Sequence, residues 1–340
     1  MSDDAVGRVL LGDETACRQS AEKWAVMPVD MAMPMPEGAE PASCQTTLRE
    51  AFSVTGPGTY SGKQARTLTL EPTTKQGWWI DRTDLPGQLP IHVSVRNVWT
   101  TVRSIVLRSG NQHNYLRMVE HIIALKLGLG LDNVLIRIES GDPPLFDVGS
   151  IDIVEGVENA GIVDQPDKPL TYWTVKEPVT VGGNGGSFLT ILPAENGSKT
   201  LEFDCAIDFP SALSKQRIQF DLHTAAFRHG AHARTNCNFG TMLFVWTIGK
   251  LFADTRSLGY TNENILIAKK NSYYNEPKML HEGKSLEAVW HRSCLDLIAA
   301  LSLIETGRLA GRVCSFKAGH ALDVEMVTQL YLHDLLESLA

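Results

Sequence analysis

The sequence predicts an α+β fold in two layered halves behind an N-terminal extension, on three observations. Strand-like alternation precedes helical periodicity in each half of the 340-residue chain. A polar, turn-rich stretch at 156–170, GVENAGIVDQPDKPL, separates the halves. No fixed-period repeat runs along the chain, so the doubling is architectural and not that of a solenoid. The boundaries that follow are an extension at 1–46, a first α+β domain at 47–165 and a second at 166–340.

The extension ends in VMPVDMAMPMPEGAEPASC, where Pro every few residues rules out a long helix or a central strand, and it is expected to be an arm packed on the body. In the first half ARTLTLEPT (65–73) and PIHVSVRNVWT (90–100) alternate as strands around the turn-rich DRTDLPGQ. YLRMVEHIIALKLGL (115–129) carries apolar residues near helical spacing and stops at Gly128 and Gly130, and NVLIRI follows as a strand. The second half opens with YWTVKEPVTV, turns at GGNGG and continues through SFLTILPAE and KTLEFDCAIDF. GGNGG lacks the GxGxxG order and leads into a strand, so it is a hairpin turn and not a dinucleotide loop. Helices are expected near 221–230, 241–255 and 285–305, strands at NILIA and within GRVCSFKAGH, and a closing helix over LDVEMVTQLYLHDLL.

A formal charge of −8 with both signs interspersed gives no footprint for a nucleic-acid polymer. The six Cys form no CxxC and no close pair, which fits reduced thiols in the cytoplasm. The first twenty residues are acidic where a secretory signal is basic, and no run of 18 apolar residues occurs, so a soluble protein without a membrane span is expected.

Three segments carry candidate chemistry. In MVEHII, Glu120 and His121 stand together in an apolar helix, where unpartnered charge is costly. They are either a locally satisfied buried pair, the plainer assignment, or a metal ligand beside a residue that holds the attacking water. In AVWHRSCLDLIAAL, Trp290, Cys294, Leu297, Ile298 and Leu301 form the buried stripe. His291 and Asp296, five apart, diverge by about 140° on a regular helix, whereas Arg292 and Asp296, four apart, can pair. A π-bulge, which absorbs one residue, would instead bring His291 and Asp296 together, and the two arrangements stand level. FKAGHALD sets Lys317 and His320 around a Gly after a strand, as a surface or capping pair or as a proton donor. FRHGAHARTN adds His229, His232, Arg234 and Thr235, suited to an anion or to an ordinary solvated loop.

Over roughly 47–335 these segments resemble the zinc-dependent UDP-3-O-acyl-N-acetylglucosamine deacetylase family. VTGPGTYSGK with TLTLEP and DRTDL resembles its opening strands, MVEHIIALKLGLGLDNVLIRI its helix of metal ligand and base, QRIQFDL with FRHGAHART its second-domain entry, and GRVCSFKAGHALD its catalytic His segment. The resemblance implies two similar layered α/β sandwich domains. It implies Zn²⁺ on His121, His291 and Asp296, with Glu120 as base, Thr235 as oxyanion partner, His320 as the acid toward the leaving amine, and Lys317 beside it. An N-acylated small molecule is the implied substrate, with a nucleotide sugar among the candidates. Four positions depart from the family pattern: Arg292 stands four before Asp296 where a His is expected, Ala300 replaces an acid, Tyr60 a His and Asn236 an aromatic. The rival function is a non-catalytic descendant that binds a ligand or protein on the same fold.

Overall fold

The computed structural model describes residues 5–251 and 257–339. Its architecture is mixed α/β with two principal sheets. The first holds five strands in the order Phe52–Gly58, Gly62–Pro72, Val134–Ile138, Trp78–Arg82 and Ile91–His92. The second holds seven, in the order Arg8–Leu11, Val179–Gly182, Phe188–Leu192, Gly311–Phe316, Leu201–Asp208, Lys215–Asp221 and Met31–Met33. Both edge strands of this sheet come from the N-terminal arm. Arg8–Leu11 pairs in parallel with Val179–Gly182, and Met31–Met33 pairs in parallel with Lys215–Asp221.

Helices α1 (Glu14–Ala25), α2 (Glu120–Gly128), α3 (Ile151–Ala160), α4 (Thr224–Ala231) and α5 (Phe239–Trp246) precede a composite element. That element is α6 (Glu287–Trp290), a π-helix over His291–Leu297 and α7 (Ile298–Leu301), and α8 (His320–Leu332) follows it. One continuous core joins Leu70, Ile80 and Ile136 of the first sheet, Ile123 of α2, Leu301 of α7 and Val181 and Ile191 of the second sheet. Helix α2 therefore reads as apolar nearly all round, because it lies between other elements and has no solvent face.

Several expectations need correction. The helix expected over 115–129 starts only at Glu120, since Met118 has φ +48 and Tyr115–Leu116 is already in a strand. The polar stretch at 156–170 is not an open boundary. It holds the end of α3 and the strand Ile162–Pro169, which pairs with Cys44–Leu48. The arm contains a twelve-residue helix ahead of its Pro-rich part, where no element had been assigned. Its Pro-flanked strand is an edge strand, as the missing N–H of Pro requires. Of the helix expected at 241–255, residues 252–255 lie outside the described residues.

Lys126 ties α2 to the end of α7. Its buried ammonium donates to the carbonyls of Ser302 (3.0 Å), Ile304 (2.5 Å) and Glu305 (3.4 Å), and burial lowers its pKa to about 8. Lys126→Met should lower stability by about 2–4 kcal/mol, because these carbonyls would lose their donor where water does not reach. Urea titration checks this, and an unchanged midpoint would show that the carbonyls find other partners.

Candidate metal centre

The site forms where the first turn of α2 meets the π-helix and the start of α8. The i→i+5 ladder of the π-helix, seen where the Ile298 N–H donates to the Ser293 carbonyl, stacks residues five apart on one face. His291 Nδ1 accordingly lies 3.6 Å from Asp296 Oδ1. The alternative pair of Arg292 with Asp296 is not made. Arg292 turns the other way, donates through Nε to the Ala318 carbonyl at 2.8 Å and pairs through Nη2 with Asp323.

Across from the π-helix, the His121 and His291 rings stand 5.3 Å apart, tilted by 56°. Ser150, fully buried, donates its hydroxyl proton to the His121 carbonyl at 2.8 Å, and its oxygen lies 3.4 Å from His121 Nδ1. With its proton already committed, Ser150 Oγ can only accept there. Nδ1 then carries the hydrogen, and Nε2 keeps a lone pair for a ligand. Burial, followed by the neighbouring His291, pushes the His121 pKa down to about 3, so this imidazole is neutral at physiological pH. For Asp296, burial opposes ionisation but His320 and His291 outweigh it, and the carboxylate stays charged far below the usual range.

Glu120, 3% exposed, accepts the Ile105 N–H on Oε2 at 3.1 Å, and burial raises its pKa against the pull of His320. His320 Nε2 lies 3.8 Å from both Glu120 Oε1 and Asp296 Oδ1. Burial alone would lower the His320 pKa, but Asp296, Glu120 and Asp323 together raise it, which favours imidazolium.

The structure thus brings together His121, His291, Asp296, Glu120 and His320. Lys317 is exposed and takes φ +54, and its side chain lines a cleft with Ser20, Lys23 and Asp208 beside α1, so it does not join this group. Thr235 begins the strand Thr235–Asn238 and is half-buried. Of the remaining candidates of FRHGAHARTN, His232 is exposed. Arg234 is spent on the fully buried Glu287 (Nε to Oε1 2.6 Å), and His229 stands edge-on to Trp290 at 4.8 Å.

Among the described residues no three His, Cys, Asp or Glu side chains are drawn tightly around one point. The donors nevertheless fit a divalent ion. His291 Nε2 is buried with no hydrogen-bond partner, and Asp296 Oδ1 is buried with no hydrogen bond and only the longer approaches of His291 Nδ1 and His320 Nε2, an arrangement that is costly unless something else occupies those lone pairs. Two imidazoles and one carboxylate are a set that zinc accepts with a position left open.

Sequence reasoning missed three residues. Ser150 orients His121 from a distant loop, and no local pattern marks it. Tyr260 reaches the site from the segment after α5, its hydroxyl donating to Met118 Sδ at 3.9 Å. Asp323 was legible in principle, since it lies three residues after His320 on a helix and therefore on the same face. It is fully buried, it holds Arg292, and its Oδ2 has no partner, as is true of His320 Nδ1.

The family model described as UDP-3-O-acyl N-acetylglycosamine deacetylase matches residues 45–332. Curated UDP-3-O-acyl-N-acetylglucosamine deacetylases are similar along most of their length. The protein of Bdellovibrio bacteriovorus is 29% identical over 290 residues, covering 84% of this chain and 89% of that one. That of Hahella chejuensis is 30% identical over 292 residues, covering 84% and 90%. That of Psychrobacter sp. is 30% identical over 295 residues, covering 84% and 92%. With the match spanning the strands, the π-helix and the His320 segment alike, the chain belongs to the UDP-3-O-acyl N-acetylglycosamine deacetylase family.

Proposed function

We propose that this protein is a zinc-dependent amidohydrolase that removes an acyl group, acetyl in the simplest case, from an N-acylated amino sugar such as the UDP-3-O-acyl-N-acetylglucosamine in its relatives' names. The observation that carries this is His291 Nε2, buried without a partner, on a ring that stands 5.3 Å from the His121 ring and 3.6 Å, through Nδ1, from the Asp296 carboxylate. A zinc ion on these three residues would lower the pKa of a water and polarise the amide carbonyl.

The chain's own groups account for the proton movements. Glu120, held through Oε2 by the Ile105 N–H, turns Oε1 toward the site, 3.8 Å from His320 Nε2, and takes the proton of the attacking water. Thr235 offers its hydroxyl to the oxygen that gains charge as the carbonyl becomes tetrahedral. His320, favoured as imidazolium, gives its Nε2 proton to the nitrogen of the leaving amine. Asp323, anchored by Arg292, has an unpartnered Oδ2, as His320 has an unpartnered Nδ1, and a bond formed between them in the working enzyme would orient the ring, the service that an acid at position 300 would otherwise give. Lys317, which lines the cleft beside α1, carries no step of this reaction. The two principal sheets with their helices are the two sandwich domains of this reading. Six unpaired cysteines suit the cytoplasm, and no helix among the described residues is long and apolar enough to cross a membrane.

Elemental analysis of protein purified without added zinc, beside His291→Ala, tests the proposal. We expect about one zinc per chain in the parent and loss of most of it in the variant. Zinc unaffected by His291→Ala, or absent after repletion, would leave a binding-only descendant as the better account.

A further inference from the structure

Helix α5 is apolar on two sides, and among the described residues only one of them is covered. On the inner side Met242 is buried, and with Phe239 and Trp246 it packs against Ile265 and Ile267. The outer stripe continues into the 3₁₀ turn Ile248–Leu251. There Leu243, Phe244, Ile248 and Leu251 are 49%, 40%, 56% and 81% exposed. Two of them end α5 and two stand on the turn beyond the break at Thr247, so four large apolar side chains are exposed within nine consecutive residues.

Charge selects what covers the stripe. Residues 239–251 contain no acid, and the single charge among them is Lys250. At the α5 end of the neighbouring strand, Lys269 sets its Nζ 5.1 Å from the Phe239 ring and 5.2 Å from the Tyr274 ring, and the exposed Lys270 follows. The nearby acid Glu263 lies at the other end of that parallel pair, beside Thr235. A chain of net charge −8 therefore presents here one locally cationic apolar face. A second copy laid on the same stripe would bring these lysines against their own kind. An anionic lipid surface accepts both the apolar stripe and the lysines around it.

We propose that α5 and the turn after it dock the protein on the surface of an anionic bilayer. Leu243, Phe244, Ile248 and Leu251 enter the boundary between headgroups and acyl chains, while Lys250 and Lys269 meet the phosphates. The docked face adjoins the candidate centre, since Thr235 opens the strand leading into α5 and Tyr260 reaches Met118, two residues before Glu120. Entry of an acylated substrate from the lipid side is a consequence that rests on the proposed activity, whereas the docking itself does not.

The test is co-sedimentation of the full chain with vesicles of phosphatidylglycerol and phosphatidylcholine, against phosphatidylcholine alone. The parent should pellet with the anionic vesicles and much less with the neutral ones, in a salt-sensitive way. The double variant Ile248→Asp, Leu251→Asp should lose roughly tenfold or more of the bound fraction, and its melting temperature should hold because both side chains are exposed. Lys250→Glu with Lys269→Glu should remove the preference for anionic lipid. Equal pelleting of parent and double variant overturns the proposal, as does absence of binding to either vesicle. A parent dimer that the double variant abolishes, without vesicle binding, overturns it in favour of a second copy. None of these readouts involves hydrolysis, so failure of the proposed activity would leave them intact.

Discussion

Glu120→Gln is expected to lower kcat by about two to four orders of magnitude while zinc content and melting temperature stay near those of the parent. The substitution preserves shape, and the amide oxygen can still accept the Ile105 N–H that now reaches Oε2 at 3.1 Å. What it removes is a proton acceptor in a site where burial has raised the carboxyl pKa toward the working range of a general base. The replacement also takes a negative charge away from His320 Nε2, 3.8 Å distant, so less of that ring is protonated when the amine must leave. Both losses fall on the chemical step, and KM should change little. Single-turnover rates on UDP-3-O-acyl-N-acetylglucosamine measure this directly, and an undiminished rate would remove Glu120 from the mechanism.

The second large effect belongs to the buried pair Arg292 and Asp323. Arg292→Met should lower stability by about 3–5 kcal/mol, since it strands a carboxylate that is 0% exposed and leaves the Ala318 carbonyl without its donor. Asp323→Asn should act differently, cutting kcat by about 10- to 100-fold with KM unchanged, because the amide still packs but no longer orients the His320 ring as a carboxylate does. The double variant Arg292→Met, Asp323→Leu separates the two roles. Denaturant midpoints should recover in it, as apolar replacement of both partners of a buried pair usually allows, while kcat stays low. Recovery of both quantities together would reduce the pair to a structural tie.

How far these features are legible in the sequence depends on the range over which their causes act. The strands Gly62–Pro72 and Val134–Ile138 and the turn at GGNGG follow from alternation and local backbone chemistry, and they lie where the pattern places them. The start of α2 does not, because Met118 takes a left-handed conformation that periodicity cannot register. Likewise the polar residues of 156–170 look like a linker only until their partner strand Cys44–Leu48 is known. In the candidate site the five-residue interval between His291 and Asp296 states the problem without choosing between a regular and a widened turn. The choice is made by what surrounds it, since every residue of the π-helix is buried and Arg292 has a better partner 31 residues away. Asp323 escaped notice for the same reason: its meaning comes from Arg292, on another element.

The arm that closes both edges of the seven-stranded sheet has a consequence for the order in which the protein is made. Arg8–Leu11 needs Val179–Gly182, and Met31–Met33 needs Lys215–Asp221. These pairings span some of the longest sequence separations in the fold, and contacts of that kind form late. The earliest residues of the arm to leave the ribosome are therefore among the last to settle. Until they do, both margins of the sheet offer unpaired backbone to any passing strand.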